Sequence, residues 1–425
     1  GVLLKPENSD LVKPFLSWTM IAACAAATLC PLRAWDGAPP EWAKSVPVPV
    51  FSEDPTLVDL YWKAWELAHH HVKTQEGMPQ SPYMDEACYD DSIWIWDTCF
   101  MTLFCKYAPD RFPGVESLRN FYLTLHGGQK CAVACHIADN PPLFAWGEME
   151  NFRFTGDTAH LKKLFLEDKF LQKHYLFFEN MERGFQVDSP GRKSPSVLKR
   201  HELGFFWNAG HSGMDNTPRG RGSKSPILWV DALAQQGLSA LYMARCAETV
   251  GDEKSAAEWK DEYERVKGII NKYYWDDADG MYYDIDSKTH EFCKVKTIAS
   301  SWPMFAEMCD KEQAAKLVEK LKDPKCFGGK YPWVTLARDD KDFNNETGDY
   351  WRGAIWLPTA YMGIKALEKY GYDELADETA WALVQQMNDT YKNYEPATIW
   401  ECYDPNLPRP STEHGKRARP DFCGW

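Results

Sequence analysis

Two acidic residues in separate loops are the first candidates for chemistry. Asp215 lies in Gly213-Met214-Asp215-Asn216-Thr217-Pro218-Arg219-Gly220, with Trp207 and His211 upstream. Glu401 lies in Thr398-Ile399-Trp400-Glu401-Cys402-Tyr403-Asp404-Pro405. Aromatic walls raise a carboxyl pKa by desolvation, which is what a general acid needs. Glycoside cleavage requires two such groups. One protonates the leaving oxygen, and the other activates a water on the opposite face. Asp215 is the candidate acid and Glu401 the candidate base, and an inverting pair would stand roughly 6.5–9.5 Å apart. The structural alternatives are an Asx-turn for Asp215 and a surface loop for Glu401.

Three further clusters have the same aromatic and polar character. In Trp94-Ile95-Trp96-Asp97-Thr98-Cys99-Phe100, a helix puts Trp96 and Phe100 on one face with Asp97 at its edge. A carboxylate there is costly unless satisfied, and sugar hydroxyls would satisfy it; a cap or a core pair is the alternative. In Asp139-Asn140-Pro141-Pro142-Leu143-Phe144-Ala145-Trp146, the two prolines stop one element and open the next. Asn140 is thereby held at a rim with a donor and an acceptor available. In Tyr350-Trp351-Arg352-Gly353-Ala354-Ile355-Trp356, an Arg between two Trp can stack and donate a planar fork, to a substrate or in a cation–π clasp. Arg219 would oppose a raised pKa if it touched Asp215, so it belongs to structure or to substrate.

Helices must position these loops. Trp259, Tyr263, Val266 and Ile270 recur at helical spacing, as do Leu238, Leu241, Tyr242 and Cys246 before them. Gly251-Asp252 joins the two into a helical hairpin. Other helices are expected near 55–73, 92–107, 115–126, 142–154, 158–181, 297–308, 310–322, 352–369 and 374–391, about eleven in all. The stretch 185–224 has no helical period and carries the Asp215 motif. Strand signals are few, the clearest being Gly280-Met281-Tyr282-Tyr283-Asp284. The Asp run before it lacks calcium-loop spacing and is expected to be a plain turn. Short loops alternating with long ones suit a barrel of helical hairpins with its site at one rim.

Composition sets the background. The 425 residues hold 19 Trp, 20 Tyr and 21 Phe, which stack on sugars and fill cores equally well. The net charge of −14 argues against nucleic acid and anionic membrane as partners. The 13 cysteines form no CxxC pair and are expected to be mostly free and buried, without a zinc site. No cofactor or metal is called for. Residues 15–32 are apolar and resemble a signal-peptide core, broken by Pro14, Ser17, Thr28 and Pro31, so no membrane span is expected. That run would place the protein outside the cytoplasm if it is a signal remnant, and inside it otherwise.

Taken in order, these five motifs make the chain, from Leu57 to Trp425, resemble the mannosylglycerate-hydrolase-like branch of glycoside hydrolase family 63, and more distantly processing α-glucosidase I and trehalases. The resemblance implies an all-α fold, the (α/α)6 toroidal barrel, with residues 1–41 as an N-terminal segment and 42–425 as the catalytic domain. It implies Asp215 as general acid, Glu401 as general base, and Asp97, Trp351 and Arg352 lining the cleaved sugar's pocket. The expected substrate-binding set is Trp96, Asp97, Asn140, Trp146, Asn216, Arg219, Trp351, Arg352, Trp356 and Tyr403. Relatives often have Gln at Asn140 and commonly Pro at Ala354. In relatives a motif like Phe422-Cys423-Gly424-Trp425 leads into further helix, so the sequence is expected to lack the last barrel helix. The expected activity is hydrolysis of an α-linked glucoside or mannoside with inversion. The alternative is a carbohydrate-binding homologue with an impaired site. Lyase or epimerase chemistry would need Tyr/His or paired His; His201 and His211 lie close in sequence, but no second cluster completes either site.

Overall fold

The computed structural model describes residues 39–49, 51, 54–87, 89, 91–136, 142–185 and 196–425. Most of the N-terminal segment, its apolar run and Asn140 therefore lie outside the described residues. Twelve α-helices are present among them: α1 (Pro55–His70), α2 (Ile95–Cys105), α3 (Gly114–Leu125), α4 (Phe144–Thr155), α5 (Thr158–Lys162), α6 (Phe170–Glu179), α7 (Val230–Val250), α8 (Glu253–Tyr273), α9 (Trp302–Phe305), α10 (Lys311–Lys322), α11 (Leu357–Lys369) and α12 (Asp373–Asn393). A π-turn over Lys163–Asp168 joins α5 to α6, and Lys169 follows it at φ 53°. The expected helix 158–181 is thus one broken outer element.

The helices form two rings of an (α/α)6 barrel. α2, α4, α7, α9 and α11 pack on one another in that order and make the inner wall. Burial separates the rings: 16 of the 21 residues of α7 are buried, against four of 21 in α8. The expected hairpin between them is present. Gly251 ends α7 at φ 81°, and Asp252 caps α8 by accepting from the Ser255 amide. A side chain at Gly237 of α7 would meet Met308 and Val266, so its absence lets α8 approach closely. The outer ring closes where Asn388 of α12 donates to Asp54 Oδ2 and Thr56 Oγ1 at the start of α1.

With α5 and α6 counted together, the described residues hold six outer and five inner helices, eleven as expected. Between α11 and α2 run Phe422–Trp425. Cys423 packs with Met101 and Cys105 of α2, and Trp425 packs on Trp356 just before α11. No helix among the described residues is long and apolar enough to cross a membrane. The ten described cysteines are free, eight of them buried.

The non-helical stretch 185–224 contributes strands rather than plain loop. β1 (Ser92–Trp94) and β2 (Ala134–His136) form a parallel pair just before α2, which shortens the helix expected over 92–107. β3 (Glu182–Phe185), β4 (Ser196–His201), β5 (Gly204–Phe206), β6 (Ile227–Leu228), β7 (Asp284–Asp286) and β8 (Phe292–Cys293) form one antiparallel sheet in the order β8-β7-β6-β5-β4-β3. Strands of two to six residues are too short for a period of two to show in sequence. The Asp run does form a turn: Asp276 Oδ1 accepts from the Ala278 and Asp279 amides.

Candidate active site

Glu401 is held by backbone on one side and by a tyrosine on the other. Its amide donates to Arg419 O at 3.0 Å, and its neighbour Tyr403 exchanges two backbone hydrogen bonds with Ile355. The residue is 8% exposed. Tyr350 Oη donates to Glu401 Oε1 at 2.9 Å, and the Arg419 amide lies 3.4 Å from Oε2. Burial raises the Glu401 pKa, and the Tyr350 bond partly offsets this. The Tyr350 hydroxyl is itself pushed far up by burial and by the Glu401 charge, so it stays a donor.

The strap carrying Tyr350 is strained. Asp349 and Tyr350 have φ of 29° and 66°, left-handed backbone that costs a β-carbon residue roughly 1–2 kcal/mol. Asn216 holds it there. Its Nδ2 donates to Asp349 O at 2.9 Å, and its Oδ1 accepts from the Trp351 amide at 2.8 Å. Asn216, expected to bind substrate, thus has both ends of its amide on the strap. It ties the loop of Asp215 to the partner of Glu401.

Asp215 follows a 3-10 turn, Gly210–Ser212, and Gly213 at φ 76°. Asn208 Oδ1 accepts from the His211 amide, and the Met214 amide donates to Ala209 O. The Asp215 side chain is exposed, in contrast with Glu401. Asp97 occupies the first turn of α2. Burial pushes its carboxyl well up, and the charges of Glu401, Asp215 and Asp85 add to the effect. Three of the acids singled out by sequence, Asp97, Asp215 and Glu401, therefore share one electrostatic neighbourhood. Two cations or donors adjoin it: the Arg419 guanidinium lies 4.2 Å over the Tyr89 ring, whose hydroxyl is pushed up to about 12 by burial.

Arg219 requires a correction. Its side chain is fully buried and forms paired bonds with Asp231 (2.6 and 2.7 Å) and Asp284 (2.6 and 2.8 Å), and it lies 4.1 Å over Trp229. With these donors engaged it is a strut of the Asp215 loop and not a sugar ligand. Tyr403 is buried too, and its hydroxyl accepts from the Trp400 amide. Trp356 donates its indole N–H to Tyr350 O and stacks on Trp351 at 4.2 Å. Trp351 is 1% exposed, and among the described residues its indole N–H meets no acceptor. Trp146 is wedged edge-on between Phe100 and Phe305, and Trp96 packs on Phe100 and Trp302. These last two belong to the inner wall. Arg352 lines a cavity of about 520 Å³ together with Asn216, Lys341, Asn344, Asp349 and His414.

Sequence reasoning left out Tyr350, Arg419, Tyr89 and Glu86. Tyr350 stands in a motif already singled out and could have been found there. The other three have no such signal, because they reach the acids only through the fold.

A helical barrel with three acids converging at one rim is the framework of a glycoside hydrolase. The chain belongs to the family described as mannosylglycerate hydrolase MGH1-like glycoside hydrolase domain, whose model matches residues 199–413. Its fold is shared with a family 63 mannosylglycerate hydrolase from Thermus thermophilus, solved in complex with glucose. The identity is 15%, the TM-score 0.63, and the match covers 86% of this chain and 97% of that one. An uncharacterised protein of Borreliella burgdorferi is 22% identical over 376 residues, 84% of this chain and 73% of that protein. The mannosyl-oligosaccharide glucosidase of Saccharomyces cerevisiae is 27% identical over 298 residues, 63% of this chain. The match spans about a third of the yeast enzyme's length, 34%.

Proposed function

We propose that the chain hydrolyses an α-linked glucoside or mannoside, a small oligosaccharide or glycosylglycerate, with inversion at the anomeric carbon. Asp215 protonates the leaving oxygen, Glu401 draws a proton from the attacking water, and Asp97 binds the ring being cleaved. The observation that carries this reading is the clamp on Glu401. Tyr350 fixes one carboxyl oxygen, and the other meets only a long amide contact, so a water can be held there. Burial raises the pKa of this base toward working pH, where general-base catalysis is most effective. Asp215, exposed and on the opposing loop, is reachable by a leaving group that extends outward.

The test is proton NMR of a panel of α-disaccharides and α-glucosyl- and α-mannosylglycerate. Release of the β-anomer first, abolished in Asp215→Asn, is the expected result. Release of the α-anomer first, or full turnover by Asp215→Asn, overturns the assignment.

A further inference from the structure

Two thiols outside the active site face each other. Of the ten described cysteines, eight are buried, and only Cys131 and Cys135 reach solvent in part. The chain bends at Ala132 and Val133, between Cys131 and the strand β2 that carries Cys135. The bend brings the two side chains into hydrogen-bond contact, although they are four residues apart. The Cys131 sulfur accepts from the Cys135 thiol, the Val133 and Ala132 amides and the Thr124 hydroxyl. Cys135 Sγ lies 3.9 Å from the same Thr124 Oγ1, and Cys131 Sγ lies 3.6 Å from Met78 Sδ. Cys135 itself pairs with Ile93 of β1, the strand that runs into α2.

We propose that Cys131 and Cys135 form a redox-active dithiol, a modification site whose co-substrate is a hydroperoxide. Cys131 is the nucleophile and Cys135 the resolving thiol. A cysteine reacts as its thiolate and only where it is reached from solvent. Two successive amides, a hydroxyl and a thiol aimed at one sulfur favour a negative charge there. The bond from Cys135, with those from the amides and Thr124 and against burial, holds the Cys131 thiol below its usual range. The bond to Cys131, with burial, holds Cys135 above it, so Cys135 keeps its proton until it attacks. The Cys131 thiolate attacks one peroxide oxygen. An S–O bond forms, the O–O bond breaks, and the departing hydroxide takes a proton to become water. Cys135 then loses its proton and attacks the Cys131 sulfur. An S–S bond forms, the S–O bond breaks, and hydroxide leaves with that proton as a second water. Each sulfur gives up one electron, and the peroxide accepts both. Disulfide sulfurs stand about 2.05 Å apart, a short approach for two already in contact. No residue of the Asp215 and Glu401 site takes part, so the hydrolase reading stands or falls separately.

Both cysteines fall in one tryptic peptide, residues 131–153. Wild type is treated at neutral pH with hydrogen peroxide in excess over all thiols, quenched with iodoacetamide, digested and weighed by mass spectrometry. The expected peptide has lost two hydrogens and carries no carbamidomethyl group, and dithiothreitol before the quench restores two such groups. Cys135→Ser should stop at a sulfenic acid that dimedone traps on Cys131, and Cys131→Ser should leave Cys135 unoxidised at the same dose. Without peroxide, alkylation of Cys131 should outpace that of Cys135 about tenfold at pH 7. A peptide that still carries two carbamidomethyl groups after peroxide overturns the proposal, as does sulfinic acid on both cysteines without a disulfide. Dimedone on Cys135 and not on Cys131 overturns the assignment of the nucleophile. Thermal unfolding shows whether the serine variants fold, and if either does not, the wild-type peptide decides.

Discussion

Two buried clusters of charge grow from the same loop, and they are built on opposite rules. At Arg219, one guanidinium faces two aspartates, and its bonds to Asp231 and Asp284 are 2.6–2.8 Å long. Four residues earlier, the Asp215 loop joins a neighbourhood of Asp97, Glu86 and Glu401, acids with burial-raised pKa values and few partners. The first cluster is closed, because the guanidinium donors and both carboxylates find their hydrogen-bond partners within the protein. The second is left open. A buried charge that is fully paired fixes a fold, whereas buried acids short of partners mark where a ligand must enter.

The largest effect that separates the clusters is catalytic. Glu401→Gln removes the base but keeps the Tyr350 contact, so kcat should fall about 10²- to 10⁴-fold. Thermal unfolding should move little, since the lost charge was one of several crowded acids. A large fall in Tm together with the lost activity would assign Glu401 to the closed class instead.

Arg219→Leu should behave in the opposite way. It strands Asp231 and Asp284 without their cation and is expected to cost about 3–5 kcal/mol in urea unfolding. A cost under about 1 kcal/mol, within the range of an exposed ion pair, would show that the cluster is not the strut described here.

A half-buried pair sharpens the contrast through pH. His160 Nε2 lies 2.6 Å from Glu148 Oε2, and Tyr122 donates to Glu148 Oε1. The Glu148 charge raises the His160 pKa to about 9, above its ordinary 6.5. A raised folded-state value stabilises fully below pH 6.5 and is lost as pH rises through about 9. His160 is about a quarter exposed, 26%, so the full shift is discounted to about 2 kcal/mol. Urea unfolding between pH 6 and 10 should show this loss in wild type and not in His160→Gln. Equal pH slopes in the two proteins would remove the pair from the closed class.

The contrast also explains what the sequence could and could not reveal. Helices were legible because their signals are local. The period of Trp259 to Ile270 and the Gly251-Asp252 junction both lie within a few residues. The region 297–308 was less so, since the structure has a 3-10 turn, Ile298–Ser301, and only the four-residue α9. Asp215 and Glu401 were legible as acids in aromatic loops. Arg219 was misplaced because its role depends on Asp284, 65 residues away. Glu86 was invisible because Asp97 and Gly424 come beside it only in the fold. Adjacency along the chain reports which residues a loop carries. It does not report which of them turn inward to a partner.

Asn216 is the case where that distinction is finest. It neighbours the acid in sequence, yet its amide grips a strap 133 and 135 residues away. Asn216→Ala removes two hydrogen bonds worth about 1 kcal/mol each, and kcat should fall roughly 10- to 30-fold, the smallest effect of the set. A positioning role makes a further demand that general destabilisation does not. If the strap relaxes from its left-handed backbone, Tyr350 withdraws from Glu401, and the bond that lowers the Glu401 pKa is lost. The acid limb of the kcat–pH profile should then move to higher pH, while Asn216→Asp, which keeps the acceptor for the Trp351 amide, should lie between the two. An unmoved acid limb in Asn216→Ala would mean that the strap holds Tyr350 without this amide, and that the two loops are not coupled through it.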